Sequence, residues 1–148
     1  MKQDCQIITI TDDLEKHAAW LTAAEPLHRT LRPDIPHPYA AYMRRMFVEG
    51  AGMAVLIDQG TVRGIAVFRA NHTTFRGYRF YLDDLVTEEA KRGSGFGAQL
   101  LVWCEAKAKA MDCDFFDLES GVPRARTHKF YFREGLGISS FGFSKSLR

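Results

Sequence analysis

The chain has 148 residues, of which 46% are hydrophobic and 26% charged, with a formal net charge of +2. This is the make-up of an ordinary globular protein with one core, and it excludes low-complexity, collagen-like and disulfide-scaffold classes. The charge is too near balance to call for nucleic acid, although local Lys/Arg groups can still hold a small anion.

Ile7–Ile10 reads as a first strand. Thr11 or Asp12 can cap a helix that follows through about Ala24, with Leu14, Ala18 and Leu21 on one face. Residues 25–38 hold four prolines and no periodicity, so they read as a loop. A second helix is expected over about Tyr39–Glu49, stopped by Gly50. A hairpin comes next: Gly52–Asp58, a turn at Gln59-Gly60, then Thr61–Arg69. After a polar connection over 71–77, Tyr78–Val86 is a long strand. Gly95–Met111 is a helix with Phe96, Leu100, Cys104, Ala108 and Met111 near one stripe. Phe115–Leu118 is a short strand, Thr127–Arg133 a short helix, and Ser139–Ser146 alternates enough for a last strand carrying Phe141 and Phe143 on one face. The order β-α-α-β-β-β-α-β-α-β makes an α/β (α+β) protein, a mixed sheet flanked by helices in a single domain over residues 1–148.

No apolar segment at the N-terminus resembles a signal peptide, and no run approaches membrane-spanning length, so a cytoplasmic protein without membrane contact is expected. The three cysteines, Cys5, Cys104 and Cys113, are odd in number and lack ligand spacing, so neither a metal site nor a disulfide framework is expected. Cys104 reads as a small core residue.

The most informative segment joins the long strand to the following helix: Arg92-Gly93-Ser94-Gly95-Phe96-Gly97-Ala98. Glycines at such a junction let backbone N–H groups approach a ligand, and the helix N-terminus favours negative charge, which suits a pyrophosphate. A P-loop needs Gly-Lys-Ser/Thr, but Ala98 follows Gly97. Gly93-x-Gly95-x-x-Ala98 formally fits a dinucleotide fingerprint with Glu119 as the downstream acid. About 50 residues after the loop are too few for the rest of a doubly wound sheet, and what precedes it is not a nucleotide-binding half.

Arg92-x-x-Gly95-x-Gly97, preceded by Glu88-Glu89, resembles the Arg/Gln-x-x-Gly-x-Gly/Ala motif of the GNAT (Gcn5-related N-acetyltransferase) superfamily. His128-Lys-Phe-Tyr131-Phe-Arg-Glu-Gly-Leu136 is similar to that family's Ala-x-x-Phe-Tyr-x-x-x-Gly-Phe box, with Thr127 for the alanine and Leu136 for the phenylalanine. The element order matches as well, so the resemblance covers nearly the whole chain.

The resemblance implies a mostly antiparallel sheet and acetyl-CoA as co-substrate, with no metal. It implies direct attack of a primary amine, of a small molecule or a protein, through a tetrahedral intermediate. The N–H groups of Arg92, Gly93, Ser94, Gly95, Phe96, Gly97 and Ala98 would hold the pyrophosphate. A bulge in the fourth strand at Leu85, Val86 and Thr87 would expose backbone groups to the thioester carbonyl. Tyr131 would protonate the departing thiolate, a transfer suited to a phenol of pKa about 10. Asp83 and Asp84 are candidate general bases. Tyr81-Leu-Asp83-Asp84 resembles the Tyr-Leu-Glu-Asp of polyamine acetyltransferases, which favours Asp83 acting through water.

Glu119 is a weaker candidate for holding the substrate amine. Residues 25–42 and 71–77 should form the acceptor site, and local acids would suit a cationic amine. Arg124, Arg126 and Lys129 are candidates to approach coenzyme phosphates or else solvated charge. His128 reads as a helix-surface residue, and His17, His28, His37 and His72 as surface or loop residues. A non-catalytic acyl-CoA-binding sensor is the alternative function. A homodimer is expected by analogy with the family alone.

Overall fold

The computed structural model describes residues 5–88 and 93–148. It divides into two compact units, Met1–Asp117 and Leu118–Arg148. The first holds β1 (Cys5–Thr9), a 3-10 turn (Ile10–Asp12), α1 (Ala18–Leu31), α2 (Tyr39–Val48), β2 (Gly52–Asp58), β3 (Thr61–Thr73), β4 (Gly77–Thr87) and α3 (Phe96–Ala110). β5 (Phe115–Leu118) lies at the boundary, and α4 (Ala125–Arg133) belongs to the second unit.

The sheet order is β1-β2-β3-β4-β5, and the first four strands pair antiparallel. Alternation along the strands sorts the core. Met53, Val55, Ile57, Ile65 and Val67 face α1 and α2, packing with Leu21, Ala24, Tyr39 and Met43. The opposite face receives α3, whose Leu100, Leu101, Cys104 and Ala108 are buried. Phe68 meets Trp103 there, ring centroids 6.0 Å apart, and stacks on Phe80 at 5.0 Å. α3 comes so close at Gly64 that a Cβ added there would lie 2.6 Å from Leu100 Cδ1. Cys104 is the core residue expected of it, its thiol pushed up to about 12 by burial, with the charge of Glu105 second.

Three elements differ from the sequence reading. α1 starts at Ala18 and runs through Pro26 to Leu31. Asp13 holds the preceding turn, its Oδ1 accepting from Lys16 N at 3.0 Å, which delays the helix start. A proline inside a helix forfeits one backbone hydrogen bond. Here Leu21, Ala24 and His28 keep their burial on either side of Pro26, and that packing outweighs the loss. The connection expected over 71–77 is mostly strand: β3 reaches Thr73, β4 begins at Gly77, and only a tight turn remains. Finally, residues 139–146 form no strand, and Phe141 and Phe143 are 83% and 96% exposed. Alternation supplies a strand's faces but not the ladder partner that fixes it.

Candidate functional site

β4 carries the two acids and leads toward the glycine segment. Its register against β3 slips at one place: Phe68 opposes Leu82, while Val67 opposes Asp84. Asp83 is therefore the extra residue of a bulge, which resets the alternation. The slip explains how adjacent aspartates reach the same side of the sheet. Asp84 meets His28 of α1, and Asp83 meets Arg69 of β3, which stands two residues from core-facing Val67. The bulge falls earlier than the family resemblance implied. Leu85, Val86 and Thr87 hold regular positions opposite Ala66, Ile65 and Gly64. On the other edge of β4, Tyr78 N donates to Asp114 Oδ2 at 2.9 Å, Asp114 N donates to Tyr78 O at 2.6 Å, and Phe80 stacks on Phe116 at 5.4 Å. These contacts advance in the same direction along β4 and β5, and Leu85–Thr87 lie beyond them.

The sequence reading put His28 on the surface, but it is 1% exposed. Its Nε2 lies 2.7 Å from Asp84 Oδ2 and its Nδ1 2.8 Å from Tyr39 Oη. An ionised carboxylate only accepts, so Nε2–H donates to Asp84, and in the neutral ring Nδ1 accepts from the Tyr39 hydroxyl. Arg32 Nε donates to the other Asp84 oxygen at 2.8 Å. Burial pushes the Asp84 pKa up, but hydrogen bonds from His28 and Arg32, with their charges, overcome it and hold the carboxyl below its usual range. Burial, helped by the charge of Glu25, raises the Tyr39 phenol well above its ordinary value. The signal for His28 was in the sequence: Leu21, Ala24 and His28 continue one helical face across Pro26.

Asp83 is also occupied. Arg69 Nε and Nη2 donate to its two oxygens, each at 2.7 Å, and this fork raises the Arg69 pKa. Sequence reasoning named neither Arg32 nor Arg69, because each sits far along the chain from the acid it holds. Asp83 and Asp84, expected to attract a cationic amine, are both already paired with cationic or hydrogen-bonding side chains.

At the glycine segment, Gly93 and Gly95 have φ of +90° and +82°, a left-handed conformation that favours glycine. Gly95 is the N-cap of α3, and Gln99 N donates to its carbonyl at 2.9 Å. No acidic residue stands in the first turn, and a Cβ at either glycine would meet open space. The first N–H groups of a helix have no partner within it. Together these residues fit the phosphates of a coenzyme: backbone donors, a positive helix end and, among the described residues, no carboxylate in the first turn of α3 to repel an anion. Ser94, Phe96, Gly97 and Ala98 lie in the same stretch. Arg92 falls outside the described residues, as does Glu89, while Glu88 is ion-paired with Arg63. An open groove of about 590 Å³ lies between β1 and α3; it touches the segment at Ala98 but includes none of the candidate acids.

In the second unit, Tyr131 is partly buried on α4, its ring 5.3 Å from that of Phe130. Its carbonyl accepts from Leu136 N at 3.0 Å, closing the helix. Glu119 is exposed. His128 Nε2 lies 2.9 Å from the Gly121 carbonyl, donating to it and bracing the loop before α4. Among the described residues, no group of three or more His, Cys, Asp or Glu is arranged to hold a metal. None of their helices is long and apolar enough to cross a membrane.

Residues 16–138 match the model of the acetyltransferase (GNAT) family. The chain belongs to that family. An aminoalkylphosphonate N-acetyltransferase of Salmonella typhimurium is 34% identical over 80 residues, 54% of this chain and 50% of that protein, so the match spans about half the relative's length. An uncharacterized N-acetyltransferase of Bacillus subtilis, YhdJ, is 26% identical over 140 residues, 87% of this chain and 97% of its own. Among solved structures, the aminoglycoside N-acetyltransferase AAC(6')-Iy in complex with CoA superposes with a TM-score of 0.80 at 14% identity, covering 97% of this chain and 95% of that one. At that identity the likeness shows the fold. This GNAT protein therefore has the mixed, mostly antiparallel sheet expected of it, without the expected last strand.

Proposed function

We propose that the chain is an acetyl-CoA-dependent N-acetyltransferase acting on a primary amine of a small molecule, its whole length working as one domain. The observation that carries the reading is the pair of left-handed glycines, Gly93 and Gly95, at the start of α3, in a chain of the GNAT family. The relative named for aminoalkylphosphonates, 34% identical over 80 residues, supports an amine acceptor.

In this reading acetyl-CoA supplies the activated acetyl thioester. The backbone N–H groups from Arg92 to Ala98 hold the pyrophosphate, aided by the dipole of α3. The end of β4 at Leu85, Val86 and Thr87 lines the thioester, and the N–H groups of Leu85 and Thr87, which point away from β3, stabilise negative charge on the carbonyl oxygen as the amine adds. Asp83 takes the amine's proton through water; the fork of Arg69 orients its carboxylate without using every lone pair. Asp84, held by His28 and Arg32, is a positioning residue that locks α1 to β4. Tyr131 protonates the leaving thiolate, and Glu119 steadies the acceptor amine.

A thermal-shift comparison tests the cofactor assignment. At a hundredfold excess over Kd, acetyl-CoA and CoA are expected to stabilise the protein by about 2.7 kcal/mol. NAD is expected to leave the melting temperature unchanged, and stabilisation by NAD alone would reject the reading.

A further inference from the structure

β3, β4 and the turn between them carry a row of arginines interleaved with aromatic rings. The Arg69 guanidinium carbon lies 5.4 Å from the Tyr81 ring centroid, and that of Arg79 lies 4.6 Å from the same centroid. Arg79 also sits 5.8 Å from the Phe75 ring, and Arg76 lies 4.2 Å from that of Phe115. Arg32, Arg69, Arg76 and Arg79 form ion pairs with Asp83, Asp84 and Asp117, and Asp117 is shared by two of them.

Arg79 is the least committed of the four. Its contact with Asp117 is 3.6 Å, a charge contact too long for a hydrogen bond. Its Nε is buried with no hydrogen-bond partner among the described residues, and its side chain is 23% exposed. An unmade donor in a desolvated place is costly, and a guanidinium fork matches an oxyanion with two parallel N–H bonds. Residues 79, 81 and 83 alternate onto one side of β4, so this donor lies on the side that carries Asp83.

We propose that the acceptor amine carries an oxyanion of its own, a phosphonate, phosphate or carboxylate, held by Arg79 and Arg69 beside the Tyr81 ring. This rests on the acetyltransferase reading of the end of β4. Tyr81 and Leu85 pair with Arg69 and Ala66, so across the bulge at Asp83 they are three ladder steps apart, about 10 Å, which bounds the span from amine to anion. The acceptor is thus a small amino acid-like or aminoalkyl acid molecule rather than a polycation.

The test is thiol release from acetyl-CoA with three matched series of equal chain length: ω-aminoalkylphosphonates, ω-amino acids and uncharged alkylamines, with a diamine beside them. At the best length, kcat/KM for an anionic amine is expected to exceed that of its uncharged match by at least about a hundredfold. The phosphonate and carboxylate arms tell which oxyanion fits. Arg79→Gln should shrink that preference at least tenfold, mainly through KM, and Arg79→Lys, which keeps the charge but not the fork, by less. The preference in the unaltered protein decides the proposal even where a variant fails to fold. A preference for the diamine, or an anionic preference untouched in both folded variants, overturns it while leaving acetyl transfer standing. Absence of thiol release with every amine overturns the acetyltransferase reading and this proposal with it.

Discussion

Replacing Tyr131 with Phe is expected to lower kcat at least tenfold, while acetyl-CoA affinity stays within about a factor of two. The substitution keeps the ring that packs beside Phe130 and removes only the hydroxyl. If Tyr131 merely fills space on α4, the loss of one oxygen from a partly buried ring leaves turnover nearly intact. If it protonates the thiolate, the leaving group must find its proton in water, and the loss appears in kcat rather than in binding. A pH profile separates the cases further: the alkaline limb of kcat, set by the acid, should disappear or move in Tyr131→Phe. Unchanged turnover would remove Tyr131 from the mechanism without disturbing the cofactor assignment.

The second large effect is on stability. His28→Ala is expected to destabilise the fold by about 3 kcal/mol, read from urea unfolding. The change opens a cavity in α1 and leaves the Tyr39 hydroxyl and one Asp84 oxygen without their partner. Breaking a buried charged contact on one side costs more than the contact contributes, because the remaining group stays desolvated. The pH dependence follows from Asp84. Its pKa is held below the unfolded value, so its contribution is present above the ordinary carboxylate pKa of about 3.9 and is lost as pH falls through the lower, folded value. The wild type should therefore lose stability below about pH 4, and His28→Ala should show a shallower acid limb. An acid limb of equal slope in both proteins would show that His28 does not hold the Asp84 charge.

These two predictions rest on residues of very different visibility in the sequence. Tyr131 is proposed from a resemblance: a tyrosine within Phe-Tyr-x-x-x-Gly, some 35 residues after the glycine loop, is similar to the family's box. The loop was legible for a local reason: Gly93 and Gly95 take left-handed φ values that other residues resist, so the glycines mark the turn. His28 was hidden behind Pro26. Four prolines between residues 25 and 38 read as a loop, yet only the last three lie outside α1. The buried face of a helix, read across the proline at Leu21, Ala24 and His28, carried the better signal.

The aspartates show a different limit. Asp83 and Asp84 were named, but their placement depends on a one-residue slip opposite Val67 and Phe68, which no local pattern announces. Their partners Arg32 and Arg69 stand 52 and 14 residues away from them. Ion pairing across strands and helices is a property of the register, and it turned apparently free acids into occupied ones. Residues 139–146 mark the reverse error, since a strand-like pattern without a ladder partner forms no strand and leaves its phenylalanines exposed.

The central claim is transfer of an acetyl group from acetyl-CoA to an amine, and the most direct test follows both products across an amine panel. Thiol release and N-acetylated amine are expected to rise together, one for one, and only when an acceptor is present. Acetyl-CoA that binds tightly while no amine in the panel is acetylated would contradict it and leave the protein an acyl-CoA-binding sensor.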